Sequence, residues 1–156
     1  REQHFPLHDA YTRYDATRLS CSYCVLTSLH NLEMSSRCEA NVPAYRRIVD
    51  LEIASGFSFQ PGRWLADVSP HLLTDAQVRA LPHAKRFCEQ RRKLEGRMPS
   101  DLRFRRGWPP RVPDTAEAGL IAEARAHIIR ELALDNAFPT ADAIRARFSE
   151  LHQARH

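Results

Sequence analysis

Residues 41–64 read NVPAYRRIVDLEIASGFSFQPGRW, and the class of the fold turns on this stretch. Its first sixteen residues predict a helix. Asn41 or Val42 stands near the cap, and Pro43 falls in the first turn, where a missing N–H is no loss. Gly56 lies just past the end. Ala44, Ile48 and Leu51 recur at i, i+4 and i+7 and mark one apolar face. The FSFQPGRW that follows alternates Phe57 and Phe59. It predicts a short strand or extended arm, halted by Pro61-Gly62.

Further helices follow toward the C-terminus. Residues 74–96 predict one helix, or two joined at Pro82, starting from a Thr74 cap. Phe87 and Leu94 mark its apolar side, with Cys88 beside it. Asp114 or Thr115 caps a helix running to about Leu134, with Ile121, Ala124, Ile128 and Leu132 on one face. DNAFPT is a turn, and Thr140 caps a final helix carrying Ile144, Phe148 and Leu151. The reading is therefore mainly α, with an irregular, cysteine-containing segment over 1–40. Three regions are expected: 1–95 with the cysteines and first helices, a basic Pro-rich linker or ordered loop over 96–113, and a helical hairpin over 114–156.

Length allows one good core with a small appendage, since the chain has 156 residues. No apolar run approaches the ~18 residues of a membrane span, and no signal peptide opens the chain. The sequence begins REQHFPLHDAY without Met, which reads as a processed chain or the tail of a longer one. Four cysteines are too few for a disulfide scaffold. That predicts a reducing, cytoplasmic setting with unpaired or metal-bound thiols.

The cysteines carry three readings. Cys21 and Cys24 are separated by two residues; Cys38 follows after thirteen more and Cys88 after another forty-nine. Four thiolates would satisfy tetrahedral zinc or a four-iron cluster, and His8 or His30 could replace a sulfur. A redox pair would need Cys-x-x-Cys at the head of a helix after a strand, a context this sequence does not offer. The third reading is burial of small apolar side chains, which suits Cys88 next to Phe87.

Phosphate handling must come from side chains. The five glycines, at 56, 62, 96, 107 and 119, are never closer than six apart, so no glycine-rich phosphate loop exists in this sequence. The net charge of +4 is uneven: residues 91–111 carry +6 and the remainder −2. Arg103, Arg105 and Arg106, with Phe104 and Trp108 interleaved, could neutralise nucleic-acid phosphates and stack bases. The competing reading is a solvated loop whose arginines pair with Glu89, Glu95 and Asp101.

HDAYTRYDATRLSCSYCVLTSLHNL followed by PAYRRIVDLEIASGFSFQPGRWLADV resembles the C-terminal part of bacterial and phage phosphoadenosine phosphosulfate reductase-like proteins, of the PP-loop superfamily. The resemblance runs through His8, Ala10, Tyr11, Thr17, Arg18, Leu19, Ser20, Cys21, Cys24, Leu32, Tyr45, Leu51, Glu52, Gly56 and Phe59, and covers about residues 4–68. It implies an α/β Rossmann-like enzyme binding an adenine nucleotide, with this chain as its C-terminal portion. A PP-loop domain or partner subunit would supply the missing phosphate loop and parallel sheet. Arg18, with His8 and Tyr11, would border the nucleotide, and Cys21, Cys24, Cys38 and Cys88 would supply ligands to zinc or an iron–sulfur cluster. The paired Cys-Cys and the C-terminal cysteine of true sulfate reductases are absent. The implied activity is thus sulfur transfer or nucleic-acid modification, without ATP hydrolysis by this chain alone. A non-catalytic, metal-stapled helical module binding nucleic acid or a protein partner is the alternative.

Overall fold

A computed structural model describes residues 6–18, 21–104 and 106–154. Among these the chain is mainly helical, with six α-helices and no strand. It divides into two compact units, one up to Lys85 and one from Arg86 onward. None of the helices is long and apolar enough to cross a membrane. The mainly α expectation is met; a Rossmann-like sheet does not appear among the described residues.

In the first unit a short α1 spans Asp9–Thr12 and α2 spans Leu29–Ser36, capped by the Ser28 hydroxyl. A 3-10 turn over Glu39–Asn41 leads into α3, Val42–Ser55. α3 has Pro43 in its first turn and ends at Gly56, whose φ of 66° is the left-handed conformation glycine adopts without a Cβ clash. Two further 3-10 turns follow, Leu65–Asp67 and Pro70–Leu72. α4 then runs over Asp75–Arg97 without a break at Pro82. Thr74 and Gln77 close its N-terminus reciprocally: the Gln77 N–H donates to Thr74 Oγ1 (3.3 Å) and the Thr74 N–H to Gln77 Oε1 (3.0 Å).

The structure corrects the expected face of α3. Ala44 is exposed, Leu51 is 61% exposed, and the buried stripe is Tyr45, Val49 and Glu52. The helix is rotated by one residue, about 100°, from the face that apolar residues alone select. The reason is polar. The segment after α3 forms no ladder; its only bridge is an isolated pair between Gln60 and Arg63, not the expected strand. Its buried N–H groups therefore need acceptors from elsewhere, and α3 supplies them. Glu52 Oε1 accepts from Phe59 N–H (2.7 Å) and Leu65 N–H (2.8 Å), and Oε2 from Ala66 N–H (3.2 Å). The Tyr45 hydroxyl donates to the Leu65 carbonyl (2.6 Å) and accepts from Ser69 N–H (3.0 Å). Leu32, Val49 and Leu65 fill the space between, each with no exposed surface.

In the second unit, α5 spans Thr115–Glu131 and α6 spans Ala141–Gln153. Asp114 and Glu117 form a capping box at the start of α5, and Thr140 caps α6. Leu102, Ala118, Ile121, Ile144 and Phe148 form the buried core, with Met98, Trp108, Val112 and Phe138 packed against it. Met98, Leu102, Trp108 and Val112 thus lie against the hairpin. α5 stops at Glu131, three residues before the expected end. Ala133 turns into the left-handed region, φ 50°, and the Leu134 N–H bonds back to the Ile129 carbonyl (2.9 Å). That is the helix-ending turn usually made with glycine.

Two outcomes follow for stability. Glu52→Ala should cost about 3–5 kcal/mol, because two buried N–H groups and a half-buried one lose their acceptor. Glu52→Gln should cost about 1–2 kcal/mol, since it keeps one oxygen. Burial pushes the Glu52 carboxyl above its ordinary 4.5, against the pull of the Leu65, Phe59 and Ala66 N–H groups. The folded chain therefore binds this proton to higher pH than the unfolded chain does. The carboxyl's contribution is full below 4.5 and declines as pH rises through the folded value. Urea denaturation of wild type and Glu52→Gln should show the wild-type advantage shrinking as pH rises above 4.5. Ala133→Gly should stabilise by about 0.5–1 kcal/mol, read as a higher thermal midpoint, because the left-handed turn then carries no Cβ penalty.

Candidate functional site

The turn after Cys24 is positioned by a side chain that arrives from the 59–69 segment. Gln60 Nε2 donates to the Val25 carbonyl (2.8 Å) and the Thr27 carbonyl (2.9 Å), holding the turn after Cys24. Arg18 Nη2 donates to the Leu26 carbonyl in that same turn (3.2 Å). Asn31, buried on α2, grips Thr17 three ways. Its Oδ1 accepts from the Thr17 N–H (3.0 Å) and hydroxyl (3.2 Å), and its Nδ2 donates back to the hydroxyl (2.9 Å). His30 Nε2 lies 2.9 Å from the Asp15 carbonyl, at a residue with φ 54°. The chain between α1 and α2 is thus tied at Asp15, Thr17 and Arg18.

These ties leave a cavity of about 250 Å³. His8, Asp9, Tyr14, Arg18, Asn31 and Cys38 line it, together with Ser22 and Asn41. His8 Nδ1 accepts from the Ala10 N–H (3.0 Å), which leaves the proton of a neutral ring on Nε2. Ser22 Oγ donates to Asn41 Oδ1 (3.1 Å), and Asn41 Nδ2 donates to the Ser35 carbonyl (2.9 Å). A second, shallower hollow shares Tyr14 and Cys38 and adds Arg13, Arg37 and Glu39. The Arg13 guanidinium lies 5.3 Å from the centre of the Tyr14 ring. The hydrogen bond with the Cys38 side chain raises the Tyr14 hydroxyl above its ordinary range, so it stays a donor. Burial, with Tyr45 and Cys38 nearby, pushes Tyr23 up to about 12. The surface thus offers cations, an imidazole, a phenol and two amides, beside the carboxylates of Asp9 and Glu39.

Of the residues expected at a nucleotide, Arg18 and His8 line one cavity, whereas Tyr11 is on α1 outside that lining. Tyr14, Asn31 and Asn41 also line that cavity, and the sequence does not mark them as site residues. Their only sequence signal is a polar side chain amid a segment otherwise read for its cysteines.

The expected metal ligands are not brought together. Among the described residues no three His, Cys, Asp or Glu side chains form a group that could hold a metal ion. Cys21 is exposed, Cys24 and Cys38 are half-buried, and Cys88 is buried in the other unit. Cys24 heads a turn in which its carbonyl accepts from the Thr27 N–H (3.0 Å). Cys38 faces Tyr14, and Cys88 sits 3.7 Å from Arg91 Nη2 beside buried Phe87. Tetrahedral zinc or a four-iron cluster needs about four converging donors, and these residues do not fit either.

Four of the eight basic residues of 91–111 pair with carboxylates among the described residues. Arg91 pairs with Glu95, Lys93 with Glu89, and Arg97 with Glu123. Arg111 bridges Asp101 (2.7 Å) and Glu117 (2.6 Å), and pulls the Glu117 carboxyl down to about 2. Arg103 donates to the Met98 carbonyl (3.0 Å), and Arg106 is exposed. Arg105 lies outside the described residues. Trp108 is not presented as an open stacking platform. Its indole N–H donates to the Leu102 carbonyl (3.0 Å), and its ring packs edge-on against Phe148 at 4.8 Å. Phe104, 87% exposed, is the aromatic that remains open.

No family model matches the chain, and no curated protein or solved structure was found to be similar to it.

The placements of the thiols have a direct readout. In native protein Cys21 should react first with a thiol reagent, and Cys88 should react only in denaturant, as followed by mass spectrometry of labelled peptides. Rapid native labelling of Cys88 would contradict its placement beside Phe87.

Proposed function

We propose that the first unit forms the anion-binding side of an adenine-nucleotide pocket. In this reading the chain is the C-terminal portion of a cytoplasmic, phosphoadenosine phosphosulfate reductase-like enzyme of the PP-loop superfamily. A PP-loop domain or partner subunit carries the phosphate loop, and the activity is sulfur transfer or nucleic-acid modification. One observation carries the proposal: His8 and Arg18, ten residues apart, line the same cavity as Cys38. Arg18 is tethered through one N–H to the Leu26 carbonyl, which leaves donors of its planar guanidinium for a phosphate. His8 Nε2–H supplies a neutral donor, and Asn31 holds the Thr17–Arg18 backbone in place. No metal enters this reading, and no step is assigned to one.

A second reading rests on exposed Phe104 between exposed Arg103 and the basic residues that follow. It makes the second unit a non-catalytic module binding single-stranded nucleic acid by stacking and charge.

The test is calorimetric titration of ATP and phosphoadenosine phosphosulfate into the chain expressed with its full reading frame. Arg18→Ala should weaken binding about tenfold to a hundredfold, the value of a charged hydrogen bond. The 156-residue chain by itself should not turn over ATP. Absence of nucleotide binding in the full protein, or no effect of Arg18→Ala, would overturn the first reading. Salt-dependent oligonucleotide binding that is lost in an Arg103→Ala/Arg106→Ala double variant would favour the second.

A further inference from the structure

The second unit contains a cavity that the nucleotide reading does not use. It has a volume of about 460 Å³, within the ~300–1,000 Å³ of small-molecule sites. Eleven of its fifteen lining residues are apolar, among them Leu102, Ile121, Ile128, Phe138 and Phe148. The other four are Glu95, Arg103, Arg125 and Arg147.

The charges in this lining do not balance. Glu95 is already engaged by Arg91 through both oxygens, each at 2.9 Å. Arg147 pairs with Glu150 (3.0 Å), and Arg103 is turned to main-chain carbonyls. Arg125 is left. Its guanidinium lies 5.7 Å from the centre of the Phe138 ring. Its Nε is buried and has no hydrogen-bond partner among the described residues. A buried N–H of a charged group without an acceptor is costly. An anionic group in the cavity would remove that cost, and the apolar wall would take the rest of the molecule.

We propose that this cavity binds an apolar-bodied monoanion, an acyl-chain carboxylate, with its head on Arg125 and its chain against Leu102, Ile121, Ile128 and Phe148. A nucleobase fits less well. The lining has few groups to meet base edges, and the Trp108 indole N–H is already committed to Leu102. The site lies wholly in the second unit, so it stands independently of the nucleotide reading.

The experiment is calorimetric titration of the 156-residue chain with decanoate and with its neutral analogue decan-1-ol, both below their aggregation limits. Decanoate should bind at one site per chain, and decanol at least about tenfold more weakly, a difference of about 1.4 kcal/mol. Arg125→Gln should remove that preference, bringing decanoate to the affinity of decanol in the same variant. Ile128→Trp, which fills the cavity from α5, should abolish both. Unchanged helical circular dichroism and a retained cooperative melt establish that each variant is folded. The proposal is overturned if decanoate does not bind, if acid and alcohol bind alike, or if folded Ile128→Trp binds decanoate as wild type does.

Discussion

Glu52 is the carboxylate around which the first unit is organised. The segment after α3 has no sheet partner and only short 3-10 turns, so its buried N–H groups cannot satisfy one another. One carboxylate takes three of them, and the Tyr45 hydroxyl, seven residues earlier on the same stripe, takes a fourth. The dependence then passes outward. With residues 59–69 held, Gln60 reaches the carbonyls of Val25 and Thr27. That turn in turn offers the Leu26 carbonyl to Arg18. The cavity beside His8 and Cys38 is therefore downstream of a buried acid on another helix. Its shape rests on hydrogen bonds more than on apolar packing.

The second unit follows a different logic. Its hairpin is held by apolar residues at helical spacing, and its loop is fastened by charge. Arg111 clips Asp101 to Glu117, the same glutamate that closes the capping box with Asp114. One arginine thus serves loop and helix start together. What stays unbalanced is inside, at Arg125, where a guanidinium faces an apolar wall.

Legibility in the sequence followed the range of the interactions. Caps at Thr74, Asp114 and Thr140, and the end of α3 at Gly56, were readable because each is made within about four residues. Ile144 and Phe148 were readable as core for the same reason. The face of α3 was not, because Tyr45 and Glu52 are buried through partners 7 to 24 residues away. The same distance hid Asn31, whose partner Thr17 is 14 residues off. Cysteine spacing suggested a shared ligand site. Yet Cys38 faces Tyr14 and Cys88 packs beside Phe87, and no spacing rule foresees either.

By itself the sequence determined that this chain is helical, where most helices begin and end, and that it has no glycine-rich phosphate loop of its own. Those are statements about local propensity and composition. Only the tertiary structure decided which side of α3 is inside, that Trp108 belongs to a core, and that His8 and Arg18 share a cavity. It also left the buried Arg125 Nε without an acceptor among the described residues. The physical reason is the same in each case. A buried polar group goes where its partners are, and partners far along the chain become neighbours only once the chain is folded.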